Sequence, residues 1–262
     1  MAKTFLQAKD AIDFLGISAP TFYRLVKNGK IQKHYPTPFS KHGEYDADEL
    51  AGLRSQFMPR AGEEPKGGTD WVQDSDMGNM YNLEYAVYGE ETGNPSIIRK
   101  WYKRNPYVCR VLFNESDRRD FWGAINMLPL SEATIYKLLK KEMRDIDINP
   151  EKEILTFDKP GVFDFYVASV IIRPDKPNSF GQLLNSVFSF WCERAPEQQI
   201  GKIFGRVVSE DGEMMARKLF FSPLWTISDE AFVLDMSRPN PSKIVQSFQY
   251  CVKSRMADET RS

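Results

Sequence analysis

The run FDFYVASVIIRP followed at once by DKPNSFGQLLNSVFSFW constrains this chain more than any other feature. Residues 163–172 are strongly apolar and β-branched, which reads as a buried strand, and the run stops at Pro174. A short polar loop follows, and a helical pattern opens at Phe180. A helix that starts directly after a buried strand presents free N–H groups and a positive dipole end, a combination that suits a pyrophosphate. Many α/β proteins contain such a turn, so the order of the surrounding elements has to decide what it means.

From Asp70 to about Met236 helical and strand-like segments alternate. The periodicity predicts helices over 77–89, 95–104, 131–143, 180–194 and 212–220. It predicts strands over 107–114, 121–129, 163–173, 200–208, 224–227 and 231–235. Residues 56–69 (QFMPRAGEEPKGGT) hold two Pro, three Gly and alternating charges, and read as a linker. Residues 237–262 begin Pro-rich and continue with Ile244, Val245, Phe248, Cys251 and Val252 at helical spacing. The division expected is therefore 1–55, a linker at 56–69, a large domain over 70–236, and an amphipathic segment and tail over 237–262.

Charge divides at the same place. The 262 residues carry a formal charge of −1, but residues 1–60 hold nine Lys and Arg against six Asp and Glu. Between Pro20 and His42 lie Arg24, Lys27, Lys30, Lys33 and Lys41 and no acid. Such a local basic stripe is the footprint of phosphate contact, which a near-zero total would hide.

Other classes are disfavoured. Three scattered cysteines, Cys109, Cys192 and Cys251, give neither a disulfide framework nor a CxxC metal spacing, and read as buried thiols. His34 and His42 have no cysteine or carboxylate cluster beside them, so no metal site is expected. The absence of an 18-residue apolar run and of a signal-peptide core points to a cytoplasmic protein with no membrane partner.

In the amino-terminal region Ala8, Ala11, Ile12 and Leu15 mark one helix, which Gly16 ends. Ser18 caps a second that buries Phe22, Leu25 and Val26 and stops at Gly29. Ala19, Thr21, Tyr23, Arg24 and Lys27 are left outside, which is the logic of a helix-turn-helix. The string FLQAKDAIDFLGISAPTFYRLVKNGKI resembles the winged helix-turn-helix of the excisionase and MerR-like group, matching at Leu15, Gly16, Ile17, Ser18, Thr21 to Leu25, Gly29 and Ile31. That resemblance implies a wing over 33–45, a closing helix over 46–53, and DNA as partner. It places Ser18, Ala19 and Thr21 toward bases and Tyr23, Arg24, Lys27 and Lys41 on phosphates, with dimerisation expected because operators are usually read in pairs.

The order of elements from Asp70 resembles the GNAT acyl-CoA N-acyltransferase superfamily. VIIRP (170–174) stands where that family has its strand end, and SEDGEMMARKLFF where it has a later helix. The fold class expected is thus α+β with α/β-like alternation: a small winged helix-turn-helix domain and a GNAT-like mixed sheet. The resemblance implies acyl-CoA, acetyl-CoA by default, held by the backbone of Val170, Ile171 and Ile172 and by Asn178, Ser179, Phe180, Gly181 and Gln182. The acyl group would pass to an amine acceptor. Departures are visible: Pro177 removes a donor, Asp175 adds negative charge, and the family's tyrosine position falls on Ala216. Glu84, Tyr85, Asp164 and Tyr166 remain as acid–base candidates. A DNA-bound acyltransferase is the leading expectation. A regulator sensing a ligand without turnover, and a pair of protein-interaction modules, are the alternatives.

Overall fold

The computed structural model describes residues 4–15, 17, 19–35, 43–57, 66–88 and 95–259. The chain forms two compact units, Met1–Lys66 and Gly67–Ser262.

In the first unit β1 (Phe5–Leu6) pairs antiparallel with β2 (Tyr45–Asp46), and α1 (Ala8–Leu15), α2 (Ala19–Lys27) and α3 (Ala47–Phe57) pack beside them. Their core is Ala11, Leu15, Phe22, Leu25, Ile31, Tyr45 and Leu50. Gly29 follows α2 at φ +69°, the left-handed turn that glycine adopts without a Cβ clash. His34 and Glu44 form an antiparallel bridge at the base of the expected wing, and 36–42 lie outside the described residues. Helix α3 runs through Gln56 and Phe57, so the expected linker starts late.

It also ends early. Gly67–Thr69, expected as linker, open the edge strand β3 (Gly67–Trp71), whose partner Cys109–Asn114 supplies the ladder that composition cannot show. The second unit continues with α4 (Met77–Tyr88), α5 (Pro95–Arg104), β4 (Cys109–Asn114), β5 (Asp117–Pro129), α6 (Glu132–Leu139) and α7 (Pro150–Glu153). Then come β6 (Gly161–Ile172), α8 (Ser179–Arg194), β7 (Gln198–Arg206), α9 (Glu210–Lys218), β8 (Ser222–Pro223), β9 (Ala231–Asp235) and α10 (Lys243–Glu259). The seven strands order as β3-β4-β5-β6-β7-β9-β8. Every pairing is antiparallel except β6 with β7, which is parallel. The mixed α+β class is as expected.

Alternation along the strands gives the sheet two apolar faces. Tyr166 and Ile171 of β6 pack with Met80, Leu83 and Trp101 of α4 and α5. Phe165, Val167, Val170 and Ile172 pack toward Leu183, Leu184, Val187 and Phe188 of α8. Helix α10 closes the second face through Val245 and Phe248, whose ring stacks on Phe188 at 4.8 Å, so the amphipathic segment belongs to this unit's own core.

Two expectations are corrected. Residues 224–227 form no strand: Leu224 N–H bonds Ala231 O, and Ile227 and Ser228 N–H turn back to Leu224 O, while Ser222–Pro223 take the edge position. Cys192 and Cys251, read as separate buried thiols, are joined as a disulfide between α8 and α10, leaving Cys109 as the buried free thiol. Among the described residues no helix is long and apolar enough to cross a membrane.

Candidate functional site

A cleft opens where the parallel pair of β6 and β7 ends. Strands β6 and β7 pair from Gly161/Gln198 as far as Val167/Gly205. The next residue, Ala168, is a β-bulge: on the other side of β6, Met127 faces Val167 and Asn126 faces Ser169, so Ala168 has no opposite number. A bulge bends its strand and adds local twist. Among the described residues, no strand lies beside the β6 edge turned away from β5 from Ala168 to Ile172. Between it and the end of β7 lies a cleft of about 680 Å³.

Its wall is mostly apolar. Ile125, Met127, Val170, Ile172, Phe180 and Leu184 line one side, and Gly205, Val207, Met215, Ala216 and Leu219 line the other. A volume of this size with few polar groups is that of a small-molecule site. Its polar side chains are mostly engaged elsewhere. Arg206 is paired to Glu230 at 3.0 Å, and Ser209 caps α9 by accepting the Gly212 N–H at 3.2 Å.

The residues expected to hold acyl-CoA divide. Val170 and Ile172 line the cleft, whereas the Ile171 side chain is buried on the opposite face. Phe180 lines it too, and Phe180 and Gly181 lie in the first turn of α8, where no earlier helical carbonyl takes the N–H. A Cβ added at Gly181 would meet nothing within 4 Å, so the backbone there is open to approach. Asn178 is the N-cap residue without a side-chain cap bond. The Ser179 N–H is given to Lys176 O at 3.0 Å, and the Gln182 side chain donates to Gly67 O at 2.7 Å, which ties both to the scaffold. The loop's cations are also tied: Arg173 is paired to Asp120 and Asp175, and Lys176 lies 4.7 Å over the Trp122 ring.

Of the acid–base candidates, Glu84 stands out. It is buried on α4, and burial holds its carboxyl above the ordinary glutamate range. Val87, one turn further on the same helix face, lines the cleft. Tyr166 is buried and its hydroxyl donates to Asp145 Oδ1 at 3.2 Å; burial raises both groups. Tyr85 is half-exposed and stacks on Tyr81 at 6.1 Å. Asp164 accepts the Lys202 backbone N–H, a bond that ties it to the scaffold. Ala216 does line the cleft, so no phenol is present at that position. Among the described residues no group of three His, Cys, Asp or Glu is placed to hold a metal ion.

Sequence reasoning missed Asn126 and Ser169. Asn126 Nδ2 donates to Ser169 Oγ at 2.8 Å, with Asn126 fully buried and Ser169 in the cleft wall. The available signal was a lone amide in the otherwise apolar GAINMLPL.

On the first unit, Ala19, Tyr23, Arg24 and Lys27 are exposed on α2. Thr21, expected outside, is buried, because it shares the inward face with Phe22 and Leu25. Ser18 and Lys41 lie outside the described residues.

No protein-family model matches the chain, and no curated protein does. Among solved structures it is similar to the loading GNATL domain of CurA from Lyngbya majuscula, at 13% identity over 56% of this chain and 67% of that one, with a TM-score of 0.40. It is similar to the ribosomal-protein-S18-alanine N-acetyltransferase from Escherichia coli, at 8% identity over 64% and 91%, with a TM-score of 0.39. A third is AtaTR bound with AcCoA, at 14% over 71% and 98%, with a TM-score of 0.41. At such values these likenesses say nothing of this chain's activity.

Proposed function

We propose that the second unit binds an acyl-CoA, acetyl-CoA first among them, and transfers the acyl group to an amine, and that the first unit binds DNA. One observation carries the transfer reading: β6 and β7 part at the Ala168 bulge and open an apolar cleft that runs to the first turn of α8. An extended thioester arm lying along the free β6 edge meets backbone groups there, and its diphosphate meets the first-turn N–H groups of Phe180 and Gly181. Glu84 takes the proton of the acceptor ammonium. The neutral nitrogen then attacks the thioester carbon, the C–S bond breaks, and the proton lost from that nitrogen passes through water to the departing CoA thiolate, leaving the amide and the free CoA thiol. Holding amine and thioester together supplies much of the rate without further side chains.

The DNA reading rests on the exposed Tyr23, Arg24, Lys27 and Lys30 of α2 and its turn, with Lys33 stacked on Tyr35 at 5.1 Å. A specific observation favours a second reading of the larger unit, as a ligand sensor without turnover. Ala216 stands in the cleft wall, and the loop's Arg173 is already committed to two carboxylates. Calorimetry with acetyl-CoA, followed by thiol release with amines and lysine peptides, separates the two. Binding with acceptor-dependent thiol release supports transfer; binding without it supports the sensor; no binding removes both.

A further inference from the structure

We propose that Ser169, oriented by Asn126, donates a hydrogen bond to the carbonyl oxygen of the bound thioester. This rests on the reading of the cleft as an acyl-CoA site. Ser169 follows the bulge residue Ala168, at the point where β6 and β7 separate; it shares the sheet face of Ile171 and, with Ala168, is among the residues that line the cleft. Asn126 stands directly opposite it on β5 and gives its Nδ2–H to Ser169 Oγ at 2.8 Å. A hydroxyl that accepts one bond still has its own proton to place. Among the described residues nothing takes that proton, so it is available to whatever lies in the cleft.

The pair is unusual for its surroundings. Asn126 is 1% exposed in an apolar layer, and among the described residues its buried Oδ1 has no partner, an arrangement that costs stability. The neighbours in its row are Cys109 on β4 and Ser169 on β6, and Glu84 of α4 lies close enough to act on the Cys109 thiol. The hydroxyl thus sits on the same face of the sheet as the proposed base. When the amine attacks, negative charge gathers on the carbonyl oxygen, and a fixed donor aimed at that atom lowers the barrier. No proton is transferred by Ser169 in this role. Asn126 is a positioning residue, holding Oγ as an acceptor so that the O–H faces the cleft.

The test uses the full chain and acetyl-CoA labelled with ¹³C at the thioester carbonyl. In the wild type the bound carbonyl stretch is expected at lower frequency than in free acetyl-CoA. Ser169→Ala should return it to the free value, with Kd for acetyl-CoA unchanged and kcat about 100-fold lower. Ser169→Thr, which keeps the O–H, should retain the shift. Asn126→Leu gives up the bond to Ser169 but also removes a buried unpartnered Oδ1, so its Tm should not fall, yet the carbonyl shift should be lost. An unshifted carbonyl in the wild type overturns this inference while leaving acyl-CoA binding intact, as does a shift that survives Ser169→Ala. The same unshifted band results if the Asn126 amide is turned and consumes the serine proton. Failure of the wild type to bind acetyl-CoA overturns the reading beneath it as well.

Discussion

The Asp164 carboxylate on β6 accepts the backbone N–H of Lys202 on β7 at 2.8 Å, at the place where β7 carries one residue more than its partner. The side chain replaces a ladder bond and braces the parallel pair before it opens into the cleft. A Cβ at Gly201 would stand 2.6 Å from Asp164 Oδ1, so the glycine is part of the brace. Asp164→Ala is expected to cost about 1.5–3 kcal/mol in urea unfolding, the worth of a bond to a charged group. Its kcat per folded molecule should match the wild type. A selective loss of kcat with unchanged stability would instead make Asp164 an acid–base group.

Glu84 titrates above the usual glutamate range because burial disfavours its charge. As a base it must be ionised, so kcat/KM should climb as pH rises through that raised value. Glu84→Gln should abolish the limb and lower kcat about 100-fold or more. Stability has the opposite sign. A raised folded pKa favours folding below the unfolded value and loses that contribution as pH rises. The Gln variant should therefore unfold at higher temperature than the wild type at neutral pH, with the gain shrinking as pH falls through the unfolded glutamate value. Equal pH profiles for the two proteins would remove Glu84 from the chemistry.

Arg24 and Lys27 are exposed on α2. Their joint replacement by Ala should weaken DNA binding and reduce the slope of log K against log salt by about 2, one unit for each phosphate no longer neutralised. Fluorescence anisotropy across a salt series reads both quantities, and an unchanged slope would place the DNA surface elsewhere.

Much of this architecture is legible in the sequence because its signals are local. The limits of α5 and β9 follow from periodicity, and Gly29 ends α2 by its own backbone freedom. What escapes is non-local. Gly67 and Gly68 carry no strand signal, and only the facing Asn114 and Phe113 make them β3. Thr21 looks polar and outward until its helical phase with Leu25 is counted. Within the site, Val170, Ile172 and Phe180 follow from the strand-to-helix turn. Ser169 does not, because the bulge that presents it arises from pairing with β5, which no residue of β6 announces.

The pairing of Cys192 with Cys251 closes a loop with a sequence separation of 59 residues. Thiol titration of the oxidised, denatured protein should find one free cysteine, Cys109. Reduction should lower stability by about 4 kcal/mol in the chain-entropy account. Three reactive thiols before reduction would show that the bond does not form.

Helix α9 ends with Phe220 at φ +58°, the left-handed position that glycine usually fills. The Phe220 N–H bonds Arg217 O and the Phe221 N–H bonds Ala216 O, so the turn is satisfied in spite of its side chain. Phe220→Gly is expected to stabilise the protein by about 1 kcal/mol, read from the denaturation midpoint. A loss of stability would mean that the half-exposed ring contributes more than its backbone costs.

Ala168 is best regarded as an insertion carried inside a strand. Without it, Val167 would be followed by Ser169, and the residues opposite them, Met127 and Asn126, are already consecutive. Every later side chain of β6 would keep the face it now has, and the ladder to β5 would simply become regular. A chain one residue shorter at this point thus has every packing reason to fold and no reason to bend. In an evolving lineage, gain and loss of the cleft would then be separated by a single codon, at the cost to the core of one small side chain packed against it.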